Sequence, residues 1–452
     1  MKTPDIRKHT LAALSLAVSL VFAAAPALAE ELTPFGAIKG ANADGSIPAY
    51  TGGLTQPPAG YTGNGNYIDP YAADKPLYSI TKQNLAQYAD SLTPGTRFLF
   101  ERFPDYRIDV YPTRRSMHWP DAVLKSTVEH AGQAKLAGEV EGDRIDNSFA
   151  GIPFPQPKTG TEALWNRYFT YIPYLELTAA SYMVDSRGNV SLLPEGTMHK
   201  ANVIYEPKLQ NSDNTGITDM ANIVSSAPAN VAGYAQLRKE RLDYGSSGTL
   251  AWFYDPGQRR VRVAPNYTYD IPASSQGGVL FYDEVFLFSG RMDRFNYKLV
   301  GREEMVLPYN SYKLLQSNYK DVLGPKFLNP DAIRWEKHRV WVIEAELKDG
   351  ARHAYQKRRY FLDEDSWVVL ATEGYDHAGQ IHRVGYTYPV FEYTGLGGVS
   401  NGSHGFYDFN RGSYAVIWMG KTSGKPADVK FFSEVKRPEM FTPRGIAGTS
   451  TR

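Results

Sequence analysis

Histidines and paired carboxylates are the side chains in this sequence whose type and spacing could support chemistry. His377 and His382 flank one predicted hairpin, and His353 lies two strands away. Three imidazoles held close together could bind a metal ion such as zinc. No cysteine or carboxylate spacing typical of a metal motif accompanies them, and histidines at turns and strand ends are usually solvated. We therefore predict no metal site.

Two pairs of adjacent carboxylates, Asp283-Glu284 and Glu303-Glu304, lie in segments that we predict to be strands. Neighbouring side chains of a strand point to opposite faces, so the members of one pair cannot act together on one substrate. An inward carboxylate could serve as an acid or base, although a salt bridge to a nearby arginine is the more common use. The sequence contains no nucleophile elbow, zinc helix, phosphate loop or dinucleotide fingerprint. We predict no catalytic residue.

The aromatic content is more informative about function. Aromatic residues make up 13% of the chain, and 31 of them are tyrosines. Antiparallel strands rich in large apolar side chains can pack against helices, or they can form a curved sheet with a cavity. The residues that we predict to contact a ligand in such a cavity are Trp252, Tyr254, Phe286, Phe288, Trp341, Ile343, Ala345 and Tyr360. The alternative is that these side chains fill a core, which is the more common role of a buried aromatic residue.

The beginning of the sequence predicts export. Residues 2–8 form a basic head, residues 11–25 are apolar, and the small-residue segment 27–29 resembles a cleavage signal. We expect residues 1–29 to be a signal peptide, and the protein from Glu30 onward to be soluble in the periplasm of a Gram-negative bacterium. The alternative is an uncleaved membrane anchor, for which the apolar run is short.

The composition excludes several functional classes. The chain of 452 residues has 49 Lys and Arg against 48 Asp and Glu. This balance gives no electrostatic footprint for nucleic acid or for an anionic membrane surface. The absence of cysteine from the sequence excludes disulfides, cysteine-ligated zinc, iron–sulfur clusters and thiol nucleophiles. No cofactor is implied.

The elements that must position any site are mainly strands. Residues 338–389 predict a four-stranded antiparallel meander, because runs rich in Val, Ile, Tyr, Phe and Trp are separated by turn residues at 348–350, 363–366 and 376–379. The first run alternates with a period of two, as expected for a strand with one buried face. Its apolar face contains Trp341, Ile343, Ala345 and Leu347.

We predict one large domain over residues 30–452, of the α+β class. Residues 30–75 should form an irregular extended arm, residues 76–173 a helix-rich cover, and residues 174–452 a mainly β region. The polar, aperiodic segment 211–229 is expected to be a loop or lid. The fold that we expect is a strongly curved antiparallel sheet, an incomplete β-barrel, whose concave side is covered by the helices and the arm.

Two stretches resemble the half-barrel of the periplasmic lipoprotein carriers LolA and LolB. They are YDPGQRRVRV and RRYFLDEDSWVVLATEGYDHAGQIHR. Nearly the whole mature chain also resembles an exported Gram-negative family defined as a domain of unknown function, DUF1329. The stretches that carry this resemblance include NADGSIPAYTGGL, YPTRRS, GIPFPQPKTGTEALWN and LVGREEMVLPYN. The resemblance implies a half-barrel, and it provides no catalytic residues.

Members of this family are often encoded beside an outer-membrane barrel and a resistance-nodulation-division exporter, which implies hydrophobic cargo and these two proteins as partners. The function that we expect is therefore binding or carrying of a lipid or other hydrophobic molecule, together with an envelope transport system. One alternative is a periplasmic enzyme acting on an envelope lipid or glycan. Another is an outer-membrane β-barrel, which is disfavoured by charged strand positions such as Arg260, Arg262 and Glu344.

Overall fold

The computed structural model describes Met1 and residues 31–63, 67–245, 248–264, 267–273 and 276–449. The predicted signal peptide beyond Met1, and the predicted mature start at Glu30, lie outside the described residues. Among the helices of the described part, none combines the length and the apolar character needed to cross a membrane.

The first part of the chain contains most of the helices and only short strands. Thr93 and Thr159 begin two of these helices, since each side-chain oxygen accepts a hydrogen bond from a backbone N–H of the first turn. The elements are β1 (Tyr78–Ile80), α1 (Leu85–Tyr88), α2 (Pro94–Arg102), β2 (Ile108–Val110), α3 (Asp121–Glu129), β3 (Lys135–Ala137), β4 (Arg144–Asp146) and α4 (Gly160–Tyr168).

Six strands follow in sequence, joined by hairpins. In the turn that follows Asp255, the Oδ1 atom of this residue accepts a hydrogen bond from the backbone N–H of Gly257 at 2.8 Å, as expected for an Asp-x-Gly turn. The strands are β5 (Tyr174–Val184), β6 (Val190–Asn202), β7 (Ile217–Ala227), β8 (Ala235–Arg241), β9 (Leu250–Asp255) and β10 (Arg260–Val263).

The remainder of the chain contains the longest strand and the predicted meander. Its elements are β11 (Phe295–Pro308), α5 (Tyr312–Gln316), α6 (Tyr319–Val322), β12 (Trp335–Leu347), β13 (Lys357–Asp363), β14 (Val369–Tyr375), β15 (Ile381–Thr387), β16 (Val390–Phe391), β17 (Val399–Ser400), β18 (His404–Asp408), β19 (Ser413–Met419), β20 (Asp428–Phe432) and α7 (Pro443–Thr449).

Within the described residues, sixteen of the strands form one sheet, in the order β1-β2-β12-β13-β14-β15-β18-β19-β5-β6-β7-β8-β9-β10, with β11 beside β12 and β20 beside β5. Nearly all pairs are antiparallel, and the exception is the single bridge between Trp335 and Val110. The α+β class, the large antiparallel sheet and the meander β12–β15 are therefore confirmed. The pairing of β19 with β5 joins the meander half of the sheet to the β5–β10 half.

Two predicted elements were wrong. The expected loop or lid at 211–229 is mostly the strand β7. Its polar residues hid the strand pattern because they are buried and bonded internally, as when Asn222 donates to the backbone oxygen of Met440 at 2.7 Å. The segment that contains Asp283 and Glu284, expected to be a strand, is instead a kinked 3₁₀ segment over Tyr282–Leu287, in which Phe286 and Leu287 have positive φ angles that turn the chain.

The apolar face of β12 is covered by α4 and the arm. A Cβ at Gly160 would lie 2.8 Å from Ile343 Cγ2, so only glycine lets α4 approach this closely. Ile343 and Ala345 are fully buried beneath this cover. On the other face of the sheet, α7 and the preceding turn pack against Tyr254 and Leu237 as a second, smaller hydrophobic cluster.

Candidate functional site

The candidate site is an apolar groove of about 540 Å³ on the face of strands β6 to β9. Its walls are mostly aliphatic and aromatic, and a few amide and hydroxyl groups interrupt them. The lining residues are Leu192, Leu193, Pro194, Gly196, Ile223, Ser225, Pro228, Asn230, Val231, Tyr234, Ala235, Gln236, Phe253, Gln276, Gly277 and Trp418. This size and composition are typical of sites that bind hydrophobic small molecules.

The groove floor follows from the pairing register of the strands. Ile223 pairs with Gln236, and Gln236 pairs with Phe253, so these three side chains form one row across β7, β8 and β9. The connection between β7 and β8 contributes Pro228 and Val231 to the rim. Gln236 is buried, but Ile223 and Phe253 are only partly buried, so the apolar part of the floor is open to a ligand.

A row of charged side chains follows on the same face. Lys200 pairs with Ala221, and Ala221 pairs with Arg238, two residues along each strand from the groove row. Two residues of a strand span about 7 Å. The groove therefore lies beside two fully buried cations rather than ending at solvent.

Three buried cations surround the ring of Phe286, and we call Arg167, Lys200 and Arg238 the cationic cluster. Lys200 Nζ lies 4.0 Å from the ring centroid, and the guanidinium carbons of Arg238 and Arg167 lie at 5.0 and 5.8 Å. Cations near an aromatic face gain electrostatic stabilisation, but less than they gain from a carboxylate. The His404 ring also lies near this ring, tilted to it, with centroids 5.6 Å apart.

The carboxylates near the cluster are fewer than its cations. Glu240 lies 3.1 Å from Arg238, and it also accepts a hydrogen bond from Ser289 at 2.9 Å. Asp219 lies 3.6 Å from Arg238 Nη2. Lys200 donates to the neutral amide oxygen of Asn401 at 3.2 Å.

Burial dominates the titration of this region. Burial, opposed by Asp219 and assisted by Arg167 and Arg238, lowers the pKa of Lys200 to about 7. Burial also lowers the pKa of His404 to about 4, so this imidazole is neutral at physiological pH. The cluster is thus a place where added negative charge would be stabilised.

A second cavity, of about 810 Å³, lies between the arm and strands β11 and β12. It is lined by charged side chains such as Arg302, Glu304 and Arg339, together with Trp341. The guanidinium of Arg302 lies over the Trp341 ring at 4.1 Å. Its polar walls make this cavity a poorer match than the groove for an apolar ligand.

One group of buried side chains in the described residues has the composition of a metal site. Ligand atoms of His338, Asp363 and Asp365 lie within 4.8 Å of one another. Both oxygens of Asp365 already accept hydrogen bonds from Arg115, at 2.6 and 2.9 Å, and His338 Nε2 lies 3.0 Å from a Glu336 oxygen. These candidate metal-ligand atoms of Asp365 and His338 already have charged partners within the protein, and we assign no metal ion to the group.

The histidines and carboxylates singled out from the sequence also have internal partners. His353 Nε2 lies 2.9 Å from Asp283 Oδ2, and Arg358 donates to the same oxygen at 2.7 Å. Burial opposes ionisation of Asp283, but Arg358 and His353 together lower its pKa to about 2. Glu284 forms an ion pair with Arg383 at 2.7 Å. The prediction that an inward carboxylate forms a salt bridge is confirmed for both Asp283 and Glu284.

The eight residues predicted to contact a ligand lie in different places. Ile343 and Tyr360 are cross-strand neighbours, and Phe288 contacts Tyr360 with ring centroids 5.4 Å apart. Ala345 lies in the same buried row beneath α4, whereas Trp341 lines the polar cavity. Trp252 and Tyr254 belong to the cluster under α7, on the opposite face of the sheet.

Phe286 alone among those eight lies beside the charged end of the groove, and none of them lines its walls. Sequence reasoning missed Phe253, which lies between Trp252 and Tyr254 and therefore points to the other face. Strict alternation along β9 was the signal that could have found it. A ligand-contacting role for the eight residues stays a prediction.

The fold and the groove define a mixed α+β protein, built on one large and mostly antiparallel sheet with an apolar site on its surface. The model of the family described as "Protein of unknown function (DUF1329)" matches residues 79–447, and the chain belongs to this family. An uncharacterized protein of Pseudomonas aeruginosa is 38% identical over 399 residues, which cover 85% of this chain and 86% of the relative. The family predicted from the sequence is confirmed.

Several solved structures are similar to part of the chain. A putative outer membrane lipoprotein-sorting protein domain from Vibrio parahaemolyticus aligns with a TM-score of 0.41 and 15% identity, covering 64% of this chain and 98% of that one. A DUF1329 family protein from Desulfovibrio piger gives 0.41 and 14%, covering 64% and 97%. A LolA superfamily protein from Nitrosomonas europaea gives 0.34 and 12%, covering 63% and 98%.

Proposed function

We propose that this protein binds and carries a lipid or another hydrophobic molecule in the groove on strands β6 to β9. The observation that supports this function is the apolar lining of an open site of about 540 Å³. Soluble domains normally bury such surface, and an exposed apolar groove usually marks a binding site. Desolvation of the ligand would supply the affinity, at about 0.8 kcal/mol for each buried methylene.

The proposal includes three further features expected from the sequence: a half-barrel fold, a periplasmic location and an envelope transport system as partner. The sheet would curve as a half-barrel with the groove on its concave side. After export and removal of residues 1–29, the protein would act in the periplasm, where it would pass its cargo to or from an envelope transport system. An open groove suits a carrier, because cargo that enters readily can also leave readily.

The test measures binding of the neutral apolar probe N-phenyl-1-naphthylamine and extracts lipid from protein purified from the periplasm. Ser225→Trp places an indole in the groove, because Ser225 is one of its lining residues. The matched control is Ser226→Trp, since the adjacent Ser226 is exposed, is not among the lining residues and donates to the backbone oxygen of Glu195.

We expect Ser225→Trp to weaken probe binding at least tenfold and to remove co-purified lipid. The Ser226→Trp control should stay within about twofold of the wild type. Equal probe binding by all three proteins, with no lipid extracted from any of them, would contradict the carrier function.

A further inference from the structure

The cationic cluster beside the groove has more hydrogen-bond donors than the surrounding protein uses. Within the described residues, Arg167 Nε and Nη2 are buried and make no hydrogen bond, and Arg238 Nη2 makes none either but lies 3.6 Å from Asp219 Oδ1. Arg167 is 4% exposed and Arg238 is 2% exposed. A buried polar group without a partner is costly, and such groups usually have a water, an ion or a ligand as partner.

The charges of the cluster point to an anion rather than to water alone. When Lys200, whose pKa is lowered to about 7 by burial, is protonated, it forms with Arg167 and Arg238 a group of three cations that has two nearby carboxylates, Asp219 and Glu240. Glu240 is already bonded to several neighbours. Arg167 faces aromatic rings instead of a carboxylate, at 4.6 Å from Tyr168 and 5.8 Å from Phe286. One more negative group would balance the cations and accept their unused N–H bonds.

The position of the cluster connects it to the groove. The row containing Arg238 and Lys200 follows the groove row on the same face of the sheet, about 7 Å along the strands. A ligand with its tail on Phe253 and Ile223 would therefore bring its other end to the cations.

Phe286 lies among the three cations of the cluster. Its backbone is left-handed, with φ of 54°, and this conformation is unfavourable for an aromatic residue. Strained residues of this kind are often found at ligand sites.

We propose that the cationic cluster binds the anionic head group, a carboxylate or a phosphate, of an amphiphile whose apolar tail occupies the groove. This assignment rests on the proposed function and names its ligand class, an anionic lipid such as a fatty acid or a phosphate-bearing lipid. Arg167 would bind the head group with two parallel N–H bonds, and Lys200 would add a point charge.

The test is calorimetric titration at pH 7 with four probes: decanoate, decanol, acetate and inorganic phosphate. Decanoate and decanol share a tail and differ in charge, whereas acetate and phosphate supply the head alone. The variants are Arg167→Met and Lys200→Met, each checked for folding by circular dichroism. The matched control is Arg187→Met, an exposed arginine in the β5–β6 turn.

We expect the wild type and Arg187→Met to bind decanoate at least tenfold more tightly than decanol. Either cluster variant should lose most of this preference while its decanol affinity stays the same, and either folded variant suffices for the test. Equal binding of decanoate and decanol by the wild type would overturn the head-group site and leave the carrier function standing.

Two further outcomes separate the remaining explanations. Binding of acetate or phosphate as tightly as decanoate would assign the cluster to a free anion and contradict a head-group site. Failure of both decanol and decanoate to bind would overturn the carrier function itself, and with it the assignment of a lipid ligand.

Discussion

Two clusters of buried charge differ in what neutralises their cations, and the comparison separates a structural cluster from the proposed binding cluster. In the arm cluster, formed by Arg115, Arg339, Glu364 and Asp365, Arg115 makes two parallel hydrogen bonds to Asp365, at 2.6 and 2.9 Å. Glu364 also accepts a hydrogen bond from the backbone N–H of Ile38, which attaches the arm to the turn between β13 and β14. The cationic cluster surrounds an aromatic ring instead.

The difference lies in what neutralises each cation. A guanidinium that a carboxylate binds on two sides has little capacity left for a ligand, and its role is to hold two segments together. A guanidinium that faces rings retains unused donors and excess charge. Four predictions sharpen the contrast between structural and binding regions, and they follow in order of decreasing expected effect.

Arg115→Met should cause the largest loss of stability. It leaves Asp365 buried without its cation, and breaking one side of a buried ion pair costs about 3–5 kcal/mol. The control is Arg114→Met, since the neighbouring Arg114 pairs with Asp74 at a surface position where it is 42% exposed. The control should lose less than about 1 kcal/mol. Urea denaturation measures both, and equal losses would remove the distinction between the arm cluster and an ordinary surface pair.

Ala345→Trp and Ser225→Trp compare the covered row of β12 with the groove. Ala345 is fully buried beneath α4, so an indole there overpacks the core and should cost at least about 1–3 kcal/mol. Ser225 lines open space, and its replacement should change the melting temperature little. Thermal melts of the two variants and the wild type measure both changes in melting temperature. A small effect at Ala345 would mean that the β12 row also borders a cavity.

Lys200→Met tests the cationic cluster through pH. The folded-state pKa of Lys200 is lowered to about 7 by burial, with Asp219 opposing and Arg167 and Arg238 assisting. Glu240 and the neutral His404 also face this amine. A lowered lysine pKa means that the unfolded chain binds more protons between pH 7 and 10, so stability rises with pH there.

The free energy of unfolding of the wild type, relative to Lys200→Met, should therefore increase by up to about 1.4 kcal/mol per pH unit in that window. Denaturation at pH 7, 8.5 and 10 measures it. If the difference in unfolding free energy between the two proteins did not change with pH, Lys200 would not be desolvated.

Glu364→Gln should give the smallest effect, with the opposite sign. Burial and the neighbouring Asp365 raise the pKa of Glu364 to about 7, against the effect of Arg115 and Arg339. A raised carboxyl pKa favours the folded state at low pH, and this contribution is lost as pH rises from about 4.5 to 7. The stability of the wild type relative to the glutamine variant should fall across this narrower window. An increase instead would mean that the arm cluster stabilises the ionised carboxylate.

Local patterns were sufficient to predict the meander and several hairpins, because turn chemistry and alternation are properties of neighbouring residues. The site was harder. Strand β8, with Arg238, Lys239 and Glu240 in succession, has the composition of an exposed segment, yet all three side chains are buried. Their partners come from other segments that only the fold brings to β8: Lys239 donates to Asn214 at 2.6 Å, and Glu240 accepts from Ser289 at 2.9 Å. The groove likewise depends on the cross-strand register, which one strand does not reveal.

Strand β5 determines when the sheet can be completed. One of its edges pairs with β6, the next strand to be synthesised. The other edge pairs with β19 and β20, as in the partners Met183 and Ala415, which lie more than half the chain apart. During synthesis, the backbone N–H and C=O groups of that edge have no strand partner until the last strands are made. We expect slow folding with a long-lived, aggregation-prone intermediate, and this makes the C-terminal strands the step that commits the chain to its native state.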